Sequence, residues 1–108
     1  MKSDRFIKYV KDTIVKDLSP ETIYLFGSRA RGDNRPESDY DIAVGKRKFK
    51  DADWAETSLK IQENKPTLHK IDLVRMDRAS KSLIEEIRKE GILIFKNEPK
   101  RKKIRKKL

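Results

Sequence analysis

The sequence predicts an α/β (α+β) domain in which helices pack against one small mixed β-sheet. Apolar residues recur in turn at helical spacing and in short strand-like runs, which gives the element order α-β-α-β-α-β-α-β. A chain of 108 residues accommodates one domain. Hydrophobic residues make up 35% of the chain and charged residues 43%, so the core must be concentrated in these patterned segments.

The first segment has the pattern of an amphipathic helix that lies on the sheet. Ser3 is a candidate cap before it, and Ser19-Pro20 ends it. Its apolar stripe consists of Phe6, Ile7, Val10, Ile14 and Leu18. Residues 23–26 then form a short run of aromatic and branched side chains, which is typical of a buried strand.

Gly27 and Ser28 follow this strand directly. A glycine allows a sharp turn and the close approach of a ligand, and Ser28 can cap the short helix that Arg29 begins. The exposed N–H groups of a helix N-terminus bind anions, and a triphosphate is the expected anion. Arg29 and Arg31 lie beside this turn, where they either counter phosphate charge or are simply solvated.

Asp39 and Asp41 follow Ser28 after ten residues and open the next apolar run. The residues between are rich in turn formers, and we expect Ser38 to stabilise that loop. Side chains two residues apart on a strand point to the same face, so the two carboxylates lie side by side. Such like charges repel unless a cation lies between them, and Mg²⁺ is the hard cation that takes carboxylate and phosphate oxygens together.

A third helix with packed apolar residues is predicted after the basic residues 45–50, which are either a solvated connector or part of a surface for an acidic partner. Asp51 is its candidate cap, and we expect Trp54 to pack between this helix and the sheet. Pro66 ends the helix. Its other apolar positions are Ala52, Ala55, Leu59 and Ile61.

The third strand is predicted over residues 68–74 and contains Asp72. An aspartate embedded in an apolar strand costs free energy unless it is paired or bound to a metal ion. His69, at the start of this strand, is assigned no role. Asp77 or Ser80 caps the last helix, Gly91 follows its end, and residues 92–95 form a final apolar strand. The apolar face of that helix consists of Leu83, Ile84 and Ile87.

The pattern of Gly27-Ser28, ten residues and Asp39-x-Asp41 resembles the signature of the nucleotidyltransferase superfamily that includes DNA polymerase beta and the aminoglycoside nucleotidyltransferases. In so short a chain it most resembles the minimal nucleotidyltransferase (MNT) branch. The family pattern also requires a third carboxylate on a later strand, which Asp72 matches. The resemblance implies the minimal nucleotidyltransferase fold over residues 1–95, followed by a basic tail at residues 96–108.

Members of this branch are similar to antitoxins whose partner toxin is a HEPN-domain ribonuclease. The implied reaction transfers AMP from ATP to a tyrosine hydroxyl of the toxin and so silences it. Asp39 and Asp41 would hold one Mg²⁺ ion on the triphosphate and would share a second ion with Asp72 near the attacking hydroxyl. Gly27 and Ser28 would steady the β- and γ-phosphates. The alternatives are an antitoxin that acts only by complex formation, a small nucleic-acid binding module, and a nucleotidyltransferase that acts on RNA or a small molecule.

Residues 100–108 contain seven basic residues and no acidic residue, so they carry most of the net charge of +10. Such a run is attracted to polyanions without sequence preference. It is either a weak RNA contact, a contact with an acidic partner surface or a solubilising end. The absence of cysteine excludes disulfides and thiolate metal sites. No signal-peptide pattern and no apolar run of about 18 residues is present, so a cytoplasmic protein without membrane association is expected.

Overall fold

The computed structural model describes residues 4–65 and 69–98. Helices and strands alternate along these residues in the predicted order, which confirms the fold class. The helices are α1 (Asp4–Leu18), α2 (Ser28–Arg31), α3 (Asp51–Asn64) and α4 (Lys81–Glu90), and the strands are β1 (Thr22–Phe26), β2 (Tyr40–Gly45), β3 (Ile71–Arg75) and β4 (Ile92–Lys96). Three predicted features lie outside the described residues: the Ser3 cap, Pro66 at the end of the helix, and the part of the basic tail from residue 99 to residue 108. The third strand begins at Ile71, later than predicted, since His69 and Lys70 precede it.

The strands form a mixed sheet with the order β3-β2-β1-β4. β1 runs antiparallel to both of its neighbours, whereas β2 and β3 run parallel. The end of β1 and the starts of β2 and β3 therefore meet at one end of the sheet. This topology brings the Gly27 turn together with the predicted carboxylates.

The larger core lies between one face of the sheet and the pair α1 and α3. The predicted stripe of α1 is confirmed, because four of its residues are buried and Ile7 is partly buried against them. Tyr40 and Ile42 of β2 are buried in this core, so the residues that alternate with them face the other side of the sheet. The buried members of this core are Phe6, Val10, Ile14, Leu18, Ile23, Leu25, Tyr40, Ile42, Val44, Phe49, Ile61 and Ile71.

α4 packs on the opposite face of the sheet. Ile87 is fully buried there with Phe26, Ala43 and Met76. The side chain of Ser80 accepts a hydrogen bond from the Leu83 N–H (3.2 Å), so Ser80 is the cap of α4, as one of the two predicted options. No helix within residues 4–65 and 69–98 is long and apolar enough to span a bilayer.

The predicted apolar face of α3 is wrong in part. Leu59 is 58% exposed, and Ala52 and Ala55 are exposed as well. The buried positions are Ile61 and Thr57, because α1 packs against that side of the helix. A threonine is tolerated there since its hydroxyl lies 3.5 Å from an Asp17 carboxylate oxygen on α1. Trp54 packs against the core beside Phe49, with ring centroids 5.3 Å apart, which confirms its predicted place.

A cluster of ion pairs lies at the end of β3. Arg75 donates to Asp77 (2.9 Å) and to Asp51 (2.8 Å), and Asp77 also accepts from the Phe49 N–H (2.9 Å). The Arg75 guanidinium lowers the pKa of Asp77 below its usual value. The predicted cap of α3 at Asp51 is wrong, because Lys50 occupies the cap position and Asp51 is the first helical residue.

Candidate active site

The turn after β1 requires glycine at position 27 for two separate reasons. Gly27 has φ 76° and ψ −158°, a backbone conformation that residues with a side chain strongly disfavour. In addition, a Cβ atom at this position would collide with the carboxylate of Asp41. The turn and the carboxylate are therefore packed directly against each other.

Gly27, and not Ser28, is the residue that precedes helix α2. The predicted cap at Ser28 is wrong, because Ser28 is the first helical residue and no side chain caps this helix. The N–H groups of Ala30 and Arg31 donate to the Gly27 carbonyl (3.0 and 3.1 Å). The Ser28 hydroxyl thus stands at the turn without a capping role.

Asp41 and Asp72 lie beside this turn on the sheet face that carries α4, and Asp39 lies close to them in the chain. Asp41 and Asp72 are register partners on the parallel strands β2 and β3, so their side chains leave the sheet on the same face. Asp39 precedes β2 by one residue and lies two residues from Asp41. Asp39 and Asp72 are exposed, while Asp41 is half-buried. The cost of burial that the sequence predicts for Asp72 therefore falls on Asp41 instead.

The pKa of Asp41 is affected by the charged side chains around it. Burial raises the pKa of its carboxyl, and the negative charges of Asp72 and Asp39 raise it further. Arg31 acts on the same carboxyl in the opposite direction. A cation at this position would therefore relieve an existing repulsion.

The donor set suits a hard divalent cation in its chemistry, because carboxylate oxygens are the ligands that Mg²⁺ prefers. Within residues 4–65 and 69–98, however, no three acidic, histidine or cysteine side chains converge closely enough to hold a metal ion. The carboxylates are thus adjacent through the backbone but not preassembled. Metal binding by Asp39, Asp41 and Asp72 stays a prediction.

The two arginines of α2 differ in their contacts. The Arg29 guanidinium lies over the Tyr40 ring, 4.0 Å from its centroid, and donates to the carbonyls of Ser38 (3.1 Å) and Pro36 (3.0 Å). Arg31, by contrast, pairs with side chains, which are Asp33 (3.2 Å) and Glu90 (3.5 Å). Phosphate binding by Gly27, Ser28 and the two arginines stays a prediction.

The loop before Asp39 contains contacts that the sequence did not reveal. The Nε2 atom of His69 lies 2.6 Å from the Pro36 carbonyl oxygen, and its ring packs edge-on against Tyr40. Ser38 stabilises the loop as predicted, since its hydroxyl accepts from the Arg35 N–H (2.9 Å). His69 and Pro36 are 33 residues apart, so no local pattern could have indicated their contact.

Sequence comparison places the chain among known proteins. A profile described as "Polymerase beta, Nucleotidyltransferase" matches residues 8–100, which is most of the chain. The chain belongs to this nucleotidyltransferase family. Comparison with curated protein sequences found no match.

Solved structures share the fold of this nucleotidyltransferase. A toxin-antitoxin structure with AMP-PNP has 27% sequence identity and a TM-score of 0.66, and the match covers 91% of this chain and 76% of that chain. A chain in the structure of the tri-AMPylated Shewanella oneidensis HEPN toxin in complex with MNT antitoxin has 26% identity and a TM-score of 0.58, and the match covers 88% of this chain and 70% of that chain. The chain therefore has the minimal nucleotidyltransferase fold.

Proposed function

We propose that this chain is an MNT-type antitoxin that transfers AMP from ATP to a tyrosine hydroxyl of a HEPN-domain toxin. The observation that carries the proposal is the Gly27 turn packed against the Asp41 carboxylate, with Asp72 as the register partner of Asp41. Membership of the nucleotidyltransferase family supports the reaction class. Similarity to a toxin-antitoxin structure with AMP-PNP and to a complex with an AMPylated HEPN toxin supports the nucleotide and the acceptor.

Asp39 and Asp41 would hold one Mg²⁺ ion, and both would share a second ion with Asp72. Bound Mg²⁺ would neutralise the phosphate charge and lower the pKa of the acceptor hydroxyl. Burial raises the pKa of Asp41, and the charges of Asp72 and Asp39 raise it further; a cation would stabilise the charged form against all three, which supports this assignment. The side chains would have to converge when nucleotide binds, since they are not preassembled.

The residues of the turn would bind and orient the triphosphate. The Ser28 hydroxyl is not used as a cap, so it would be available to the phosphate oxygens together with the backbone of the turn. Arg31 lies on the carboxylate side and would supply positive charge. The tyrosine oxygen would then attack the α-phosphorus in line, the bond to the β-phosphate would break, and pyrophosphate would leave.

A second candidate function is an antitoxin that acts only by forming a complex. The similarity to toxin-antitoxin structures favours it, since complex formation alone would account for that similarity. This candidate predicts tight binding of the HEPN toxin without any transfer of AMP.

The decisive experiment incubates the chain with ATP labelled at the α-phosphate, Mg²⁺ and the HEPN-type protein encoded by the adjacent gene. We expect label on a tyrosine of the partner and a loss of at least roughly 100-fold in rate for Asp39→Asn and Asp41→Asn. Asp53→Asn is the matched control, because it removes an exposed carboxylate on α3, away from the site. A tight complex without label supports the second candidate, and label on RNA contradicts both.

A further inference from the structure

We propose that Arg29 is a positioning residue, which holds the loop before β2 so that Asp39 and Asp41 stand in place. This inference rests on the proposed function, because it assigns Arg29 to the same site. It separates Arg29 from Arg31, which share one short helix but have different surroundings.

The first step of the argument concerns the donors of Arg29. Its Nε–H donates a hydrogen bond to the Ser38 carbonyl, and its Nη2–H donates one to the Pro36 carbonyl. The guanidinium also lies over the Tyr40 ring. A planar guanidinium suits such combined forked donation and stacking. The side chain is therefore already engaged by the loop.

The second step concerns direction. The Tyr40 ring is buried in the core on the α1 and α3 side of the sheet, whereas Asp41 leaves β2 on the α4 side. Arg29 therefore stacks on the side of β2 that faces away from the carboxylates. In agreement, the positive charge that acts on Asp41 is that of Arg31.

The third step concerns what the contacts hold. Ser38 directly precedes Asp39, and Tyr40 directly follows it. Arg29 holds the Ser38 carbonyl and the Tyr40 ring, while the Tyr40 N–H donates to the Lys70 carbonyl (3.0 Å). The backbone on both sides of Asp39 is thus fixed, although the Asp39 side chain is exposed. Without the Arg29 side chain, residues 38–40 should become more mobile, and the proposed metal-binding oxygens of Asp39 and Asp41 should be less well positioned.

The test measures equilibrium binding of labelled ATP as a function of Mg²⁺ for the wild type, Arg29→Gln, Arg29→Lys and Arg35→Gln. Positioning predicts that both Arg29 variants raise the half-saturating Mg²⁺ concentration by roughly 10-fold or more, with little change in ATP affinity at saturating Mg²⁺. Lysine should fail like glutamine, because it keeps the charge but loses the fork and the stack. Arg35→Gln is the control, since Arg35 enters the loop hydrogen bonds through its backbone.

The opposite pattern would overturn the inference. If Arg29 binds phosphate, ATP affinity falls at every Mg²⁺ concentration, and lysine restores most of it. Amide hydrogen exchange gives a readout that needs neither metal nor nucleotide: the N–H groups of Ser38 and Tyr40 should exchange faster in the Arg29 variants than in Arg35→Gln. Unchanged exchange contradicts positioning, whereas a wild type that binds no ATP with Mg²⁺ contradicts the proposed function and leaves the exchange result to decide on Arg29.

Discussion

The two ends of β2 and β3 hold their aspartates in different surroundings. Where the strands start, Asp41 lies near Asp39 and Asp72, and burial together with these two charges raises its pKa. Where β3 ends, Asp77 accepts two hydrogen bonds from Arg75, which lowers its pKa. The same residue type is therefore destabilised in its charged form at one end and stabilised at the other.

The difference indicates which aspartates serve the fold. Asp77 has its cation within the chain, at 2.9 Å. None of Asp39, Asp41 and Asp72 forms an ion pair with another residue of the ranges 4–65 and 69–98. A partly buried carboxyl group whose neighbours disfavour its charged form is typical of a functional site.

The largest effect is expected from Gly27→Ala, which disrupts the packing beside Asp41 where β2 and β3 start. The backbone conformation alone costs about 1–3 kcal/mol for a residue with a side chain, and the new Cβ also displaces the Asp41 carboxylate. We expect a fall in Tm of roughly 10 °C and loss of AMP transfer. Gly32→Ala is the matched control: Gly32 also has a positive φ of 88°, but a Cβ there meets no atom within 4 Å. Equal losses in the two variants would contradict the proposed packing.

Asp77→Ala tests the ion pair between Arg75 and Asp77 at the end of β3. The Phe49 N–H, on a residue that is 2% exposed, loses its acceptor, and an unsatisfied buried donor costs about 1–3 kcal/mol. Chemical denaturation should show this loss, while Glu86→Ala, at an exposed position of α4, should stay within about 0.5 kcal/mol of wild type. Retained stability in Asp77→Ala would mean that the cluster around Arg75 is not structural.

Asp41→Asn should have the opposite sign to Asp77→Ala in the metal-free protein. Removing a half-buried charge beside two like charges relieves repulsion, so Tm should rise by a few degrees although AMP transfer is lost. Thermal melts in the presence of a chelator measure this change. A lower Tm would show that the Asp41 carboxylate stabilises the fold.

The smallest effect is the dependence of stability on pH. The folded pKa of Asp41 lies above its unfolded value of about 3.9, so its contribution is present below that value and is lost as the pH rises through the folded pKa. The folded pKa of Asp77 is lowered, so its contribution is present above about 3.9 and is lost as the pH falls. Melts of Asp41→Asn and Asp77→Asn across this range should therefore deviate from wild type in opposite directions. Parallel curves would contradict the contrast between the two ends.

Much of the fold could be predicted because its signals are local. The stripe of α1, the apolar runs of the strands and the two candidate caps of α4 all follow from spacing within a few residues. The face of α3 could not be predicted, because Thr57 is buried through a contact with Asp17 that is 40 residues away in the chain. Packing against α1 overrides the apolar pattern that Leu59 contributes.

The candidate site divides in the same way. The pattern of the Gly27 turn and the two aspartates is local, and the structure places these residues together with Asp72 at one end of the sheet. The burial of Asp41 rather than Asp72 depends on the position of the strands in the sheet, since β2 is internal. The loop contacts of Arg29 and His69 depend on tertiary structure, so no spacing rule indicates them.

The place of β3 at the margin of the sheet has a consequence for how the carboxylates can close. Among the described strands, β3 pairs with β2 alone, whereas β2 and β1 each have a paired strand on both sides. A shift of β3 would carry Asp72 towards Asp41 and leave the central pair of strands undisturbed. In that arrangement, the inner strand would carry Asp41 and the edge strand would bring Asp72 to it.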